Sequence, residues 1–305
     1  MLNKIVNLFP WILLTVTGFA FLFPAFFVWF QGSWITYSLG GIMLGMGLTL
    51  KWSDFLLVFK LPGPILLGTV LQYTIMPLLG WGLGYIFSLP NGYAVGLILV
   101  ASCPGGTASN VITFLARANL PLSVTLTTVS TSLAIFFTPL IASFLIGSRL
   151  EIDPIPLLLT TVKVILVPIG LGVVLQTFVP TFANRLSKYS PVFSVILISM
   201  IVSSIIAQGK NQILASDFRI FLSVFLLHVG GFLLGFLLTK LFYQNASIQR
   251  TISIEVGMQN SGLGAVLAKT HFVDPSTAIP SALSSLMHSL IGSFLAGIWR
   301  KSEEN

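Results

Sequence analysis

Ten apolar segments of membrane-spanning length divide this chain of 305 residues and leave only short polar stretches between them. A helix needs about 20 consecutive apolar residues to cross a bilayer. Only 8% of the residues are charged, whereas soluble proteins carry about 25%. The sequence therefore predicts an all-α polytopic membrane protein with ten transmembrane helices, at residues 10–30, 34–50, 62–87, 92–117, 121–147, 154–179, 190–209, 217–243, 248–270 and 279–300.

Lysine and arginine predict how these segments are oriented. With ten crossings, ten basic residues lie on the side of the N-terminus, four lie on the other side, and Lys163 lies inside the sixth segment. Cytoplasmic loops carry the excess of Lys and Arg, so we expect both termini in the cytoplasm and a first segment that is retained. We interpret Lys163 as a side chain that snorkels or pairs within the bundle. The scattered basic residues do not indicate a nucleic-acid surface.

Glu255 is the acidic residue that needs an explanation. The other seven acids lie in predicted loops, tails or segment edges, whereas Glu255 lies inside the ninth segment. A charge at that depth costs about 2.5–3.5 kcal/mol or more, so it needs a partner and usually marks a function. Glycines at 257, 262 and 264 predict that the helix breaks there and exposes backbone groups.

The residues after Glu255 supply oxygen atoms. Gln259 lies four residues further on, near the same face if the helix continues, and Asn260 follows it. Unwound backbone at Val256 and Met258 would add carbonyl oxygens. Oxygen donors of this kind suit a hard cation such as sodium. The alternative is a protonated Glu255 that hydrogen-bonds a neighbouring helix.

A second predicted break lies in the fourth segment, at residues 103–110. Proline removes a backbone donor there and two glycines loosen the helix. Thr107, Ser109 and Asn110 would then lie at the start of a new half-helix, whose free N–H groups can face an anion. The alternative is a simple kink with hydroxyls bonded back to the preceding turn. Cys103 is the single cysteine, which excludes an intramolecular disulfide.

The two predicted breaks form a weak internal repeat. Residues 254–269 resemble residues 102–117, with glycine at 105 and 257 and serine at 109 and 261. The fourth and ninth segments are five helices apart, so the second half must be inverted in the membrane. We therefore expect one transport unit over residues 1–305, built of inverted repeats at about 10–147 and 154–300, with the binding site at the paired breaks.

Other polar residues lie inside apolar segments. Ser123, Thr127 and Ser130 share one helical face of the fifth segment, either lining a site or bridging helices. Packing and site interpretations are equally open for Gln72. His228 and His288 have no predicted acid partner beyond Glu255, so we do not expect catalytic bases. The chain also lacks the motifs of a nucleophile elbow, a P-loop or a zinc protease, so an enzyme is not expected.

At these residues the sequence resembles the bile acid:sodium symporter family, and most of all its ten-helix bacterial members. The resemblance covers about residues 1–301 and is densest at 41–54, 103–110 and 254–262. It implies that helices 4 and 9 are broken and cross in mid-membrane. It also implies core helices at about 62–147 and 217–300, and panel helices at about 10–50 and 154–209, which move against each other.

The resemblance further implies ligands for two sodium ions and a substrate. One sodium site would use Ser109, Asn110, Ser123, Thr127 and Glu255. The other would use Gln72, Gln259 and backbone carbonyls at Glu255, Val256 and Met258. An anionic substrate would lie near Thr107, Asn260, Ser261 and His288. Similar bacterial sequences carry His-Asn where this chain has His228-Val229 and His288-Ser289, a difference that bears on the substrate.

We therefore expect a monomeric sodium-coupled symporter in a bacterial cytoplasmic membrane, surrounded by lipid. Its cargo would be a small organic anion such as pantoate, a 2-oxo acid or a bile-acid-like carboxylate. A proton-coupled carrier or antiporter that uses Glu255 is the first alternative. A sensor that binds an anion without moving it is the second.

Overall fold

The computed structural model describes residues 8–50, 60–150 and 152–304. Predictions made for Lys4, for residues 51–54 and for Glu151 fall outside these ranges. Within them the protein is helical, and its β-type pairing is one isolated antiparallel bridge between Gly105 and Gln259. The helices of the first half are α1 Phe9–Leu22, α2 Ser33–Thr49, α3 Pro62–Ile86, α4 Asn91–Ala101, α5 Ser109–Leu115 and α6 Leu120–Ile146. Those of the second half are α7 Pro154–Phe178, α8 Pro180–Ser187, α9 Ser190–Gln208, α10 Lys210–Ala215, α11 Phe218–Phe242, α12 Ala246–Gly257, α13 Ser261–His271 and α14 Ile279–Glu304.

Six helical spans in the described part are long and apolar enough to cross a membrane: α3, α6, α7, α9, α11 and residues 275–300. The chain is thus a multi-pass membrane protein that is all-helical in its described part, as predicted. The other four predicted segments form shorter helices. The fourth and ninth segments are each divided into two helices, and α1 ends before the predicted end of the first segment. The helix of the second segment, α2, has 17 residues. The count of ten crossings stays a prediction.

Proline sets the early end of α1. The first segment was predicted to run to residue 30, but the helix ends at Leu22. Phe23 precedes Pro24, and a residue before proline is disfavoured in the helical region. Phe23 has φ −122° and ψ 67°, and a short 3₁₀ turn follows over Pro24–Phe26. Another departure from regular α-helix lies in α7, where Val162–Leu166 form a π-helical segment.

The fourth and ninth segments are interrupted as predicted. Residues 102–108 separate α4 from α5 and are called the first break; residues 258–260 separate α12 from α13 and are called the second break. Pro104 and two glycines prevent a regular helix in the first break. Met258 is extended, with φ −115° and ψ 114°, and the side-chain oxygen of Asn260 caps α13 by accepting from Leu263 N at 3.1 Å.

The helices pack in two neighbourhoods. α2 lies against α7 and α9, and α1 lies against α9. α3 packs against α6, α11 and α12, α12 also packs against α6 and α11, and α14 contacts α11, α13 and α4. The approach of α2 to α7 is close because glycines face each other. A β-carbon on Gly172 would lie 2.7 Å from the carbonyl carbon of Gly47, so no larger residue fits without movement.

Candidate functional site

The two breaks meet and hold each other by backbone hydrogen bonds. Gly106 N donates to Met258 O at 2.9 Å, and Asn260 N donates to Pro104 O at 2.8 Å. A β-carbon on Gly106 would lie 2.6 Å from Gln259 O and 3.1 Å from its carbonyl carbon. Glycine is therefore required for this approach. The contact places polar side chains from both halves of the chain in one buried region.

Glu255 lies in this region, with 4% of its surface exposed. Ser109 Oγ donates to its Oε1 at 2.5 Å, and Thr127 Oγ1 donates to its Oε2 at 2.9 Å. Ser123 Oγ also hydrogen-bonds the carboxylate and lies 2.9 Å from Asn110 Oδ1. The five residues predicted for one sodium site are thus brought together. They come from α5, α6 and α12.

This cluster has more acceptors than protons. Each hydroxyl carries one proton, and Ser123 must share its own between Glu255 and the Asn110 amide oxygen. Thr127 Oγ1 likewise lies 3.0 Å from Ser123 O as well as near the carboxylate. A buried carboxylate among oxygen lone pairs is an environment in which a hard cation is stabilised. The donor set therefore fits sodium, a small monovalent cation that takes oxygen ligands.

Ser130, on the same face of α6, does not join the cluster directly. Its hydroxyl donates to Thr127 O at 3.2 Å, so it is bonded back to its own helix. Of the three hydroxyl residues predicted as a stripe, Ser123 and Thr127 reach Glu255 and Ser130 supports the helix behind them.

A second group of oxygens surrounds Gln72. Its Nε2 donates to Gln259 Oε1 at 2.9 Å and to Cys103 O at 3.0 Å. Gln259 Nε2 in turn donates to Val256 O at 3.3 Å. Gln72 Oε1 is buried and has no hydrogen-bond partner. An unpartnered buried acceptor costs about 1–3 kcal/mol, which a cation bound there would offset.

Gln259 reaches this group because the helix does not continue. On a continuous helix it would follow Glu255 on the same face, but α12 ends at Gly257. The side chain turns instead towards Gln72 on α3. The Met258 carbonyl, predicted as a ligand, accepts from Gly106 N and retains one lone pair.

The residues predicted to bind substrate surround a narrow cavity of about 30 Å³, called the break cavity. Thr107, Asn260, Ser261 and His288 line it, together with apolar residues of α1, α2 and α9. The amide nitrogen Asn260 Nδ2 is buried there without a hydrogen-bond partner. The lining thus offers an unused donor, the hydroxyls of Thr107, Ser261 and Ser285, and an imidazole to a polar ligand.

Thr107 also lines a larger cavity of about 270 Å³, called the Thr107 cavity. It continues from the first break to Thr49 at the end of α2 and to Ser190 at the start of α9. Asn110 lines it as well, so it borders the Glu255 cluster. The break region is therefore reached from the end of α2 that carries Thr49.

A buried histidine–serine network lies behind the break cavity. The sequence analysis named His228, His288 and Ser261 but missed Ser284, which joins them. His228 Nδ1 lies 2.8 Å from Gly257 O, and its Nε2 lies 2.9 Å from Ser284 Oγ. Ser261 Oγ lies 2.9 Å from Ser284 Oγ and 3.2 Å from His288 Nε2. The network joins α11 and α14 to both ends of the second break. Serines at 281, 284, 285 and 289, spaced along one helix beside His288, were the available signal.

Comparisons with known proteins agree with this architecture. The family model described as the sodium bile acid symporter family matches residues 36–216. A sodium-dependent transporter of Bacillus subtilis, YocS, is 46% identical over 291 residues, covering 95% of this chain and 89% of its own length. The probable chloroplastic sodium/metabolite cotransporters BASS1 of rice and of Arabidopsis thaliana are 43% and 42% identical, each over 92% of this chain and 70% of their own length.

These relatives are transporters by name, which confirms the expectation that the chain is a transporter and not an enzyme. The family model matches well over half of the chain, and the relatives extend the similarity across nearly all of it. The resemblance predicted from residues 103–110 and 254–262 is confirmed. The chain is a multi-pass membrane protein of the sodium bile acid symporter family.

Proposed function

We propose that the protein is a secondary symporter that couples the movement of two sodium ions to the import of a small organic anion. The observation that carries this proposal is the position of Glu255. It is buried where the two breaks meet, and three hydroxyl groups surround it. Membership of a sodium symporter family agrees with sodium as the coupling ion.

The first sodium ion would be held by Glu255 and the oxygens around it, namely Ser109, Asn110, Ser123 and Thr127. The second would be held by Gln72 Oε1, Gln259 and the backbone carbonyls of Glu255, Val256 and Met258. Gln72 Oε1 supports the second site because it is buried without a partner. When bound, the ions supply positive charge between the breaks; this chain supplies one carboxylate and otherwise neutral oxygens.

The anion would bind in the break cavity. Two sodium ions beside one carboxylate leave net positive charge, and Asn260 Nδ2 is an unused donor in the same place. The N-terminus of α13 adds the positive end of its helix dipole next to Ser261, although the Ser261 and Leu263 N–H groups are already bonded to Gln259 O and Asn260 Oδ1. Thr107 and His288 line the remaining sides. This chemistry suits a small carboxylate such as pantoate or a 2-oxo acid. The break cavity, at about 30 Å³, has room for only about one or two water molecules, so the helices on its two sides would have to move apart to admit the anion.

Alternating access would move the α1, α2, α7 and α9 neighbourhood, as a panel, against the remaining helices, as a core. The break cavity supports this division because α1, α2 and α9 face the two breaks across it. The Thr107 cavity follows the same boundary towards one end of α2. The chain would thus be built of two inverted repeats, with the broken segments at its centre.

With the N-terminus in the cytoplasm, as the basic residues predict, the Thr107 cavity opens to the cytoplasm. We also propose that the protein is a monomer in a bacterial inner membrane, with both termini in the cytoplasm. Sodium and the anion would bind in one region, so each raises the affinity of the other by the same factor.

Thermal unfolding of the purified protein across a sodium titration, with potassium keeping the ionic strength constant, tests the coupling ion. A ligand that binds only the folded state adds about 2.7 kcal/mol of stability at a hundredfold excess over Kd. We expect a sodium-specific rise in the unfolding midpoint of the wild type and its loss in Glu255→Gln. Asp217→Asn is the matched control, because Asp217 lies at the exposed start of α11.

A wild-type protein that responds equally to sodium and potassium contradicts the sodium proposal, and a pH series then tests proton coupling. If sodium binds, sealed vesicles test transport with radiolabelled pantoate and pyruvate. Uptake that requires an inward sodium gradient supports symport. Binding without uptake would instead identify a sensor.

A further inference from the structure

A third cavity lies at the other end of α2 from the Thr107 cavity. It has a volume of about 720 Å³ and lies among α2, the π-helical part of α7 and the last turn of α13. Lys163 and Lys269 both line it, and none of its lining residues is an aspartate or a glutamate. We call it the lysine cavity. Two cations that share one cavity without an acid call for a counter-charge.

Lys163 lies too far along its helix to be an ordinary end-of-helix lysine. It follows Pro154 by nine residues, which corresponds to about 14 Å along the helix axis. Its side chain is exposed, and among the described residues it has no hydrogen bond or ion pair. It belongs to the π-helical segment, and such segments occur frequently at functional sites. Because the described part of the chain offers this intramembrane cation no counter-charge, we expect water or an anion from outside that part to stabilise it.

Lys269, in the last turn of α13, is the second lysine of the lining. It is partly buried, and its Nζ donates to Gln208 Oε1 at 3.1 Å, a neutral acceptor that leaves its charge uncompensated. Hydroxyls of Ser33, Thr36 and Thr270 line the same cavity and can donate further hydrogen bonds. The lining thus combines two positive charges with neutral donors and lacks a competing acid.

We propose that the lysine cavity is a binding site for an oxyanion, a carboxylate or a phosphate. Lysine ammonium groups are flexible point charges that bind such groups, and pairing desolvated charges offsets their cost in the membrane. The oxyanion has two possible sources. It is either a free organic anion from the aqueous side, or an anionic lipid whose chains lie along Leu44, Val167 and Leu171 on the apolar side of the cavity.

The lysine cavity is separate from the proposed sodium and substrate residues, since it shares none of them. The proposed anion site in the lysine cavity can therefore exist even if sodium coupling is disproved, and sodium coupling can hold even if the lysine cavity binds no anion. If both hold, the two cavities at opposite ends of α2 give one anion path on each side of the breaks.

Protection of Lys163 from an amine-reactive, membrane-impermeant reagent tests the proposal in the full-length protein. Lys210 is the internal control, because it lies on α10, outside the cavity, over the ring of Phe21 at 5.4 Å. Labelling at each lysine is followed by mass spectrometry in nanodiscs of phosphatidylcholine alone, with and without pantoate or inorganic phosphate. A parallel set contains phosphatidylglycerol in place of part of the phosphatidylcholine.

We expect labelling of Lys163 relative to Lys210 to fall by about tenfold when an anion is present at about ten times its Kd. Protection by pantoate or phosphate in neutral lipid identifies a soluble anion. Protection by phosphatidylglycerol alone identifies a lipid headgroup. In either case Lys269 should be protected together with Lys163, and Glu255→Gln should leave the protection intact.

Equal labelling of Lys163 and Lys210 under all of these conditions overturns the proposal and leaves Lys163 as a snorkelling side chain. A second measurement uses substitution. Lys163→Met should abolish protection of Lys269, whereas Lys210→Met should not. Persistence of Lys269 protection in Lys163→Met would also overturn the shared site.

Discussion

Replacing Gly106 with alanine tests whether the contact between the two breaks holds the site together. The new β-carbon would lie 2.6 Å from Gln259 O and 3.1 Å from its carbonyl carbon, both backbone atoms that cannot turn away. Overpacking of this kind costs about 1–3 kcal/mol. The hydrogen bonds Gly106 N–Met258 O and Asn260 N–Pro104 O span the same contact, and each contributes about 0.5–1.5 kcal/mol.

Together these effects destabilise Gly106→Ala by about 2–4 kcal/mol. Moving the second break also displaces Met258 and Gln259, both proposed sodium ligands. Each 1.4 kcal/mol lost from binding weakens affinity about tenfold, so we expect the sodium Kd to rise by at least about that factor. Thermal unfolding across a sodium titration measures both effects in one series.

Gly82→Ala is the matched control for this prediction. Gly82 lies in α3, and a β-carbon there would meet nothing within 4 Å. An alanine in place of a helical glycine is neutral or stabilises by about 0.5–1 kcal/mol. If Gly106→Ala keeps the wild-type unfolding midpoint and sodium response as Gly82→Ala does, the contact between the breaks does not organise the site.

Two further predictions use matched pairs on single helices. Thr127→Val removes a hydroxyl that donates to Glu255. A hydrogen bond to a charged group contributes about 1.5–3 kcal/mol, so we expect the sodium Kd to rise by about tenfold or more in the same titration. Thr125→Val, whose hydroxyl donates to Pro121 O of its own helix, should keep the wild-type sodium response. Gly172→Ala should lower the free energy of unfolding by about 1–3 kcal/mol, because its β-carbon would overlap the backbone of α2. A β-carbon at Gly170 would meet nothing within 4 Å, so Gly170→Ala should be close to neutral. Denaturant or thermal unfolding measures both variants.

The sequence predicted a helix well where the length of the apolar segment agreed with the proline, glycine and polar residues at its ends. The third segment, predicted at 62–87, is α3 Pro62–Ile86, and the fifth, predicted at 121–147, is α6 Leu120–Ile146. Proline and glycine predicted the first break, and glycine predicted the second. Proline removes a backbone donor and glycine loosens a helix in any environment. Residue 30 was a wrong end for the first segment because apolar length alone was used, although Pro24 was visible in the sequence.

Which side chains contact one another was harder to predict from the sequence than where the helices and breaks lie. Glu255 was identified because an acid in an apolar segment is costly, but nothing local says that Ser109, Ser123 and Thr127 face it. Those assignments came from the resemblance to a family; the structure brings the residues together, and their role in binding sodium stays a prediction. The turn of Gln259 towards Gln72 depends on where α12 ends, which periodicity does not reveal.

The hydrogen bonds of the site join residues that are far apart in the sequence, which affects when the site forms during synthesis of the chain. Ser109 and Glu255 are 146 residues apart in the sequence, and Gln72 and Gln259 are 187 apart. Contacts so distant form slowly, because the chain between them must be ordered first. Until α12 is synthesised and inserted, Gln72 lacks its bond to Gln259, and the hydroxyls of Ser123 and Thr127 lack the Glu255 carboxylate. The proposed ion site is therefore among the last parts of the molecule to assemble, and a newly made chain matures only when both halves have closed around it.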